Sequence, residues 1–159
     1  MIIAVFPGQG SQTPGFLSPW LELDGATDRL SSFSEAAGVD LAAAGTEWDA
    51  DAIRDTQVAQ PLIVGASLLS YAAFVEAAGT TPAGVAGHSV GELAALAAAG
   101  VLSPVDALTL AGVRGRAMAD AAAQTPTGMS AILGGDEAAV LARLAELDLT
   151  PANHNGAGQ

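Results

Sequence analysis

The stretch GVAGHSVGE, residues 84–92, places one serine between two glycines, after a short apolar run and before a segment rich in alanine and leucine. Gly-x-Ser-x-Gly at a strand-to-helix junction forms a turn so tight that flanking side chains would collide with neighbouring backbone, whereas glycine has none. The serine hydroxyl is then exposed at the amino end of a helix, where unpaired N–H groups stabilise negative charge on a bound acyl oxygen. Ser89 is therefore a candidate nucleophile, and the N–H of Val90 is a candidate oxyanion donor.

Two histidines in the sequence could act as the base for this serine. His88 is adjacent, but successive residues at such a turn point in different directions, which favours a packing or hydrogen-bonding role. His154 follows the serine in the chain order found in esterases, with Asp120, Asp136 or Asp148 as the acid that orients it. The spacing favours none of these acids, so a small serine esterase with His154 as base is one alternative.

A second glycine loop, FPGQGSQ at residues 6–12, follows the apolar run Ile2–Phe6, which is typical of a buried parallel strand. The carboxyl ends of parallel strands are where open α/β sheets place their sites. Gly8 and Gly10 let the backbone of Gln9 approach a ligand closely, and the pattern lacks both the lysine of a P-loop and the spacing of a dinucleotide-binding loop. We expect the N–H of Gln9 to be a second donor that faces the serine.

The arginines differ in their helical neighbours. Three have an acid three or four positions away, a surface pairing that requires no function: Arg54 with Asp51, Arg116 with Asp120, and Arg143 with Glu146. Arg114 has only apolar residues at these positions, so either an anionic ligand or a distant acid of this chain would pair with it. Because two residues rotate a helix by about 200°, Arg114 and Arg116 face opposite sides. Bidentate carboxylate binding suits an arginine in this setting.

The remaining patterns predict an α/β fold with alternating strands and helices. The region 13–55 contains only short helical patterns that place no element well. The predicted helices are Gln57–Ala78 with Pro61 in its first turn, Val90–Ala99, a helix capped by Ser103 that runs to Gln124, and Asp136–Glu146. The predicted strands are Ile2–Phe6, Val85–Ala86 and Met129–Leu133, and 149–155 is predicted to be extended.

Composition excludes several function classes. Half of the residues are hydrophobic and the net charge is −12, so the chain can build a core, and its field repels nucleic acid and anionic membranes. The absence of cysteine rules out thiolate metal sites, and we expect no metal. The amino-terminal apolar run is short and lacks a basic region, which is unlike a secretory signal. No uninterrupted apolar run approaches a membrane span, so we expect a soluble protein, and the absence of cysteine fits a cytoplasmic enzyme.

Four segments, taken in order and spacing, resemble malonyl-CoA:acyl carrier protein transacylases: FPGQGSQ at 6–12, TQVAQP at 56–61, GHSVGE at 87–92 and VRGRAM at 113–118. The resemblance runs through essentially the whole chain. Such enzymes move a malonyl group from coenzyme A to the phosphopantetheine thiol of an acyl carrier protein, for fatty acid or polyketide synthesis. The resemblance implies no cofactor, since coenzyme A enters as the substrate thioester.

The same resemblance implies a role for each matching residue of the reaction centre. Ser89 is the nucleophile that becomes malonylated, and the backbone N–H groups of Gln9 and Val90 form the oxyanion hole. The family's base is a histidine that lies beyond Gln159, and neither histidine of this chain is given that role. A base from outside this sequence is therefore expected.

The substrate contacts are implied in the same way. Arg114 clamps the free malonyl carboxylate, Gln60 and Met118 line the acyl pocket, and Asn155 borders it. Val90 after the serine resembles malonyl-selective members, because relatives that take methylmalonyl commonly have glutamine there. The partners implied are malonyl-CoA and an acyl carrier protein. An acidic carrier would need a local positive patch on this acidic chain.

For the fold, the resemblance implies an incomplete α/β-hydrolase-like core over residues 1–126 and the truncated start of a ferredoxin-like subdomain over 127–159. We expect the full-length protein to be a monomer. Besides the esterase, one further alternative stays open: a non-catalytic fragment that binds acyl-CoA or carrier protein.

Overall fold

The computed structural model describes residues 1–125 and 127–156, and the chain forms two compact units, Met1–Thr125 and Pro126–Gln159. The first unit contains, in chain order, β1 (Ile3–Phe6), a 3₁₀ helix (Ser18–Glu22), α1 (Ala26–Ala37), α2 (Leu41–Thr46), a second 3₁₀ helix (Ala52–Arg54), α3 (Thr56–Ala78), β2 (Gly84–Gly87), α4 (Gly91–Ala98) and α5 (Pro104–Gln124). The second unit contains α6 (Glu137–Glu146).

The two strands form a parallel pair, with Ile3 opposite Gly84 and Phe6 opposite Gly87. Parallel strands require a long crossover connection, which α1, α2 and α3 provide. Because both strands run in one direction, their carboxyl ends lie at the same edge of the sheet. The first glycine loop and the serine turn therefore leave the sheet side by side, as the sequence predicts.

The prediction that the first strand is buried is wrong for most of its length. Phe6 is 6% exposed and packs edge-on against Tyr71, with ring centroids 5.7 Å apart, but Ile3 is 49% exposed and Val5 is 75% exposed. In the described part of the chain, β1 has a single strand partner. A two-stranded sheet cannot cover both faces of its strands, so apolar side chains that suit a larger sheet stay exposed.

Helix α3 is the centre of the first unit and contacts α1, α2, α4 and α5. Residues 58–69 are all buried, as expected for a helix that is apolar on every side. Asp55 caps it by accepting a hydrogen bond from the N–H of Gln57 at 3.0 Å, and Gly79 ends it with φ of 62°. The predicted helix is confirmed to within one residue. The predicted place of Pro61 in the first turn is wrong: it is the sixth residue of the helix and lies in the second turn, because one turn takes only about 3.6 residues.

The length and apolar composition of α3 would allow it to cross a membrane, and it is the one such helix in residues 1–125 and 127–156. Of its most apolar window, 67% is buried within this fold. That burial is typical of the core helix of a folded domain.

Helix α5 begins as predicted. The hydroxyl of Ser103 accepts a hydrogen bond from the N–H of Asp106 at 3.0 Å, and Pro104 occupies the first helical position. Proline suits that position because its missing N–H would have no partner within the helix. The helix ends at Gln124, as the sequence predicts.

Helix α5 also approaches the end of α1 closely. A Cβ placed on Gly112 would overlap the carbonyl oxygen of Ala37. The guanidinium of Arg116 donates to the same carbonyl at 2.8 Å. The predicted pairing of Arg116 with Asp120 is therefore wrong: the end of a helix presents carbonyls that lack intrahelical partners, and these attract the cation. The other two surface pairs are confirmed, Arg54 with Asp51 at 3.1 Å and Arg143 with Glu146 at 2.7 Å.

The second unit contains the predicted helix, capped by the carboxylate of Asp136, which accepts from the N–H of Ala139 at 2.9 Å. The predicted strand at 129–133 is wrong, since these residues form neither helix nor strand. Residues 149–155, which are predicted to be extended, also form neither helix nor strand. A strand needs a neighbour for its backbone N–H and C=O groups, and a single extended segment beside one helix does not provide a ladder.

Substitution of Gly112 by alanine should lower the free energy of unfolding by about 1–3 kcal/mol, because the added methyl group forces α5 away from Ala37. Gly128→Ala is the control, since a Cβ there meets nothing within 4 Å. Equilibrium urea unfolding followed by circular dichroism measures both. Equal stability of the two variants would contradict the close helix contact.

Candidate active site

The turn that carries Ser89 has the geometry expected of a nucleophile elbow. Ser89 has φ of 55°, in the left-handed region that residues other than glycine rarely adopt, and it is exposed. A Cβ on Gly87 would overlap the backbone of Gly91, and a Cβ on Gly91 would overlap the carbonyl of Phe6. Both glycines are therefore required for the backbone to close this turn.

The serine lies at the amino end of α4. Two backbone hydrogen bonds form the turns that lead into this helix. The N–H of Gly91 donates to the carbonyl of His88 at 2.9 Å, and the N–H of Glu92 donates to the carbonyl of Ser89 at 3.1 Å. Val90 is the N-cap residue and is fully buried. The packed Val90 side chain holds the backbone beside the hydroxyl, at the end of the helix where the dipole is positive.

The first glycine loop lies directly against the serine turn. The N–H of His88 donates to the carbonyl of Phe6 at 3.0 Å, which continues the strand pairing into the turn. A Cβ on Gly8 would come within 2.7 Å of His88 Nδ1. The imidazole therefore packs on the glycine loop, as the packing interpretation of His88 expects. The loop that carries Gln9 is a neighbour of Ser89, as its proposed role requires.

Arg114 reaches the serine from α5. Its Nη2 donates to Ser89 Oγ at 3.2 Å, and its Nη1 donates to Gln60 Oε1 at 2.5 Å. Gln60 is 1% exposed, and its Nε2 contacts the sulfur of Met118 at 3.1 Å. A chain of contacts thus leads from the predicted nucleophile through Arg114 and Gln60 to Met118, three of the predicted substrate-binding residues. Arg116 points to α1, so the predicted opposite orientation of the two arginines is confirmed.

Among the described residues, no acid forms an ion pair with Arg114. Within residues 1–125 and 127–156, the ion pairs join Arg54, Arg143 and His154 to acids, and none includes Arg114. Its two described partners are a neutral amide and a hydroxyl. A partly buried guanidinium with neutral partners retains the capacity to bind an anion. In the same residues, no cluster of three His, Asp or Glu side chains is placed to hold a metal ion.

Two candidates from the sequence belong to the second unit. His154 is exposed, and its Nδ1 lies 3.4 Å from a carboxylate oxygen of Glu137, an acid that the esterase alternative did not include. Asp136, which that alternative did include, caps α6 instead. Asn155 is exposed in the closing segment. The predicted roles of His154 and Asn155 stay predictions.

Sequence reasoning missed the side chains that hold the first glycine loop. Gln9 Nε2 donates to the carbonyl of Arg54 and to Thr56 Oγ1, each at 3.3 Å. Gln12 Nε2 donates to the carbonyl of Ile53 at 3.1 Å. The available signal was the pair of glutamines in FPGQGSQ, because long amide side chains beside flexible glycines suit hydrogen bonding to a neighbouring segment.

Comparison with known proteins agrees with this geometry. The sequence pattern of the acyl transferase domain matches residues 3–159. The chain belongs to the acyl transferase domain family. The matched range includes both glycine loops, α3 and α5, and so every described residue of the candidate site.

Individual relatives with similar sequences and structures are malonyl transacylases. The malonyl CoA-acyl carrier protein transacylase of Mycobacterium tuberculosis is 56% identical over 162 residues, which cover 100% of this chain and 53% of that protein. The crystal structure of the transacylase from the same organism matches with a TM-score of 0.87 at 55% identity, over 100% of this chain and 54% of that one. The chain therefore spans about half the length of these relatives.

A third match shows a malonyl transacylase bound to its type II polyketide acyl carrier protein, with a TM-score of 0.77 and 31% identity over 91% of this chain and 47% of that one. Together these structures confirm the predicted α/β class: helices around a small parallel sheet, in the arrangement of known acyltransferases.

The strained backbone of Ser89 predicts that a glycine variant is more stable than an alanine variant, which is the reverse of the order found in a helix. Ser89→Gly and Ser89→Ala both lose the hydroxyl and its bond to Arg114, but alanine keeps the side chain that makes φ of 55° unfavourable. The glycine variant should be more stable by about 1 kcal/mol.

The matched control is the same pair of substitutions at Ser31, an exposed residue in α1. There alanine should be the more stable by about 1 kcal/mol, because glycine weakens a helix interior. Thermal or urea unfolding compares the four variants. The same order at both positions would mean that Ser89 is not strained.

Proposed function

We propose that this chain supplies the nucleophile and acyl-binding half of a malonyl-CoA:acyl carrier protein transacylase. The observation that carries the proposal is the contact between Arg114 and Ser89 Oγ: an exposed serine on a strained turn lies 3.2 Å from a guanidinium that has no acid among its described partners. A nucleophile paired with an unsatisfied cation suits an acyl group that ends in a carboxylate. The names of the relatives agree with malonyl as that group.

The proposed reaction has two balanced acyl transfers. Ser89 Oγ attacks the thioester carbonyl of malonyl-CoA and loses its proton to a base, and the N–H groups of Gln9 and Val90 stabilise the oxyanion. The carbon–sulfur bond breaks, and the coenzyme A thiolate takes the proton as it leaves. The phosphopantetheine thiol of the carrier protein then attacks the malonyl ester and restores the serine hydroxyl.

The base is proposed to come from sequence that corresponds to the other half of the relatives, as the family resemblance implies. His88 packs on Gly8 in the first glycine loop. In the second unit, the Nδ1 of His154 lies 3.4 Å from a carboxylate oxygen of Glu137. In this proposal neither histidine takes the proton of Ser89.

Arg114 is proposed to select the substrate. The free carboxylate of malonate is separated from the thioester carbonyl by one methylene group, so a guanidinium beside Ser89 Oγ is within its reach. Gln60, which is buried, accepts from Arg114 and fixes the direction of the guanidinium. Met118 supplies an apolar wall beside the amide of Gln60. Such a clamp binds the carboxylate of a malonyl group, whereas an acetyl group has no carboxylate that could pair with the guanidinium.

The finer architecture is also a proposal. Residues 1–126 are proposed to form an α/β-hydrolase-like core, supported by the parallel strand pair and the strand–turn–helix at Ser89. Residues 127–159 are proposed to begin a ferredoxin-like subdomain, of which α6 is the first helix. The carrier protein is the proposed partner, as in the related complex, and the protein is proposed to act as a cytoplasmic monomer without a cofactor.

Labelling with radioactive malonyl-CoA tests the nucleophile. In the natural polypeptide that contains this sequence, malonyl should be recovered on the peptide carrying Ser89, and Ser89→Ala should lose the label entirely because no other hydroxyl occupies the turn. Ser31→Ala is the control and should label normally. Retained label in Ser89→Ala would refute the assignment, and loss of label in a His154→Ala variant would favour the esterase alternative.

Arg114→Ala tests the clamp. Loss of a charge-assisted, bidentate contact should lower kcat/KM for malonyl-CoA by about 10- to 100-fold, while transfer from acetyl-CoA is unchanged or rises. Arg116→Ala is the matched control, because that side chain binds the carbonyl of Ala37 on the opposite side of α5. Equal losses for malonyl and acetyl in Arg114→Ala would remove its role in selection.

A further inference from the structure

The amide of Gln12 joins the first glycine loop to the segment that precedes α3. Its Oε1 accepts a hydrogen bond from the N–H of Gly10 at 2.9 Å, and its Nε2 donates to the carbonyl of Ile53 at 3.1 Å. The side chain is half-buried, so these bonds are partly shielded from water. The oxygen and the nitrogen of one amide are therefore both hydrogen-bonded. The oxygen binds the loop, and the nitrogen binds the carbonyl of Ile53, which serves as the anchor of the loop.

The residue that Gln12 contacts is part of the core. Ile53 is 1% exposed and belongs to the core of the first unit. Gln9, on the same loop, donates from its side chain to the carbonyl of Arg54 and to Thr56 Oγ1. The two glutamines thus tie one loop to one short stretch, residues 53–56, just where α3 begins.

The loop needs such ties because its backbone has no regular partner there. Gly10 has φ of 107°, a conformation open to glycine, and residues 7–13 form no helix or strand. On its other side, Gly8 abuts the imidazole of His88. The peptide N–H of Gln9 lies between these two supports, so its direction depends on both.

We propose that Gln12 is a positioning residue for the acyl transfer: it holds the loop so that the N–H of Gln9 points at the oxyanion formed on Ser89. This inference rests on the proposed function. Gln12 acts through Gly10 and the loop and is not proposed to touch the substrate. Because an oxyanion donor acts mainly in the transition state, loss of its alignment lowers the rate of acylation and leaves substrate binding nearly unchanged.

The test uses Gln12→Ala and Gln12→Glu in the natural polypeptide. Glutamate keeps the length of the side chain and the acceptor for Gly10, but it has no N–H for the carbonyl of Ile53. It therefore breaks the anchor with little change of shape, and it serves if the alanine variant does not fold. Gln57→Ala is the matched control, because that exposed glutamine lies beside the same segment and its amide bonds only to Asp55 among its described partners.

Rapid-quench labelling with malonyl-CoA should show acylation of Ser89 slowed by about 10- to 100-fold in both Gln12 variants, since misalignment of about 1 Å can cost that much. The dissociation constant of malonyl-CoA should change less than about twofold, in contrast to Arg114→Ala. Gln57→Ala should acylate at the normal rate, and the melting temperatures should show that the Gln12 variants remain folded.

Acylation at the normal rate in both Gln12 variants would overturn the inference. So would rate and affinity losses that follow a fall in melting temperature, since that pattern reports a purely structural tie. Failure of the unaltered protein to label at Ser89 would overturn the proposed function instead, and it would be seen before any Gln12 variant is made.

Discussion

The close approach of Gly91 to the end of β1 is the constraint on which the rest of the site depends. A Cβ on Gly91 would overlap the carbonyl of Phe6 and come within 2.6 Å of that of Pro7. Only at this spacing can β2 pair in parallel with β1, turn within a few residues, and start α4 beneath the adjoining loop. The two glycine loops become neighbours because the backbone at that point has no side chain to hold them apart.

The site concentrates unfavourable features that the surrounding packing sustains. Ser89 is held in a left-handed conformation, and Arg114 carries a charge that no described acid balances. Val90, which is fully buried, holds the backbone next to Ser89. Gln60, which is 1% exposed, holds the guanidinium of Arg114 by a hydrogen bond. Strain and unsatisfied charge of this kind are features that a bound acyl group with a carboxylate would use.

The local elements of the first unit were predictable because their signals are short-range. Ser103 and Pro104 start α5, Gly79 ends α3, and the glycines around Ser89 define the turn. The second unit shows where prediction from local sequence fails. The apolar run at 129–133 has strand propensity, yet it forms no strand, because a strand exists only through hydrogen bonds to a neighbour.

By itself, the sequence determined the α/β class and the serine turn, and the helical period showed that Arg114 has only apolar neighbours along its helix. Gln60 and Met118 were indicated by the resemblance to malonyl-CoA:acyl carrier protein transacylases. Only the tertiary structure decided that Arg114 reaches Ser89 Oγ without an acid among its described partners, that Arg116 binds the end of α1, and that Gln12 ties the first loop to Ile53. These contacts join residues that are 25, 79 and 41 positions apart. Local patterns carry no information on such distant pairs, because packing of whole helices sets which side chains meet.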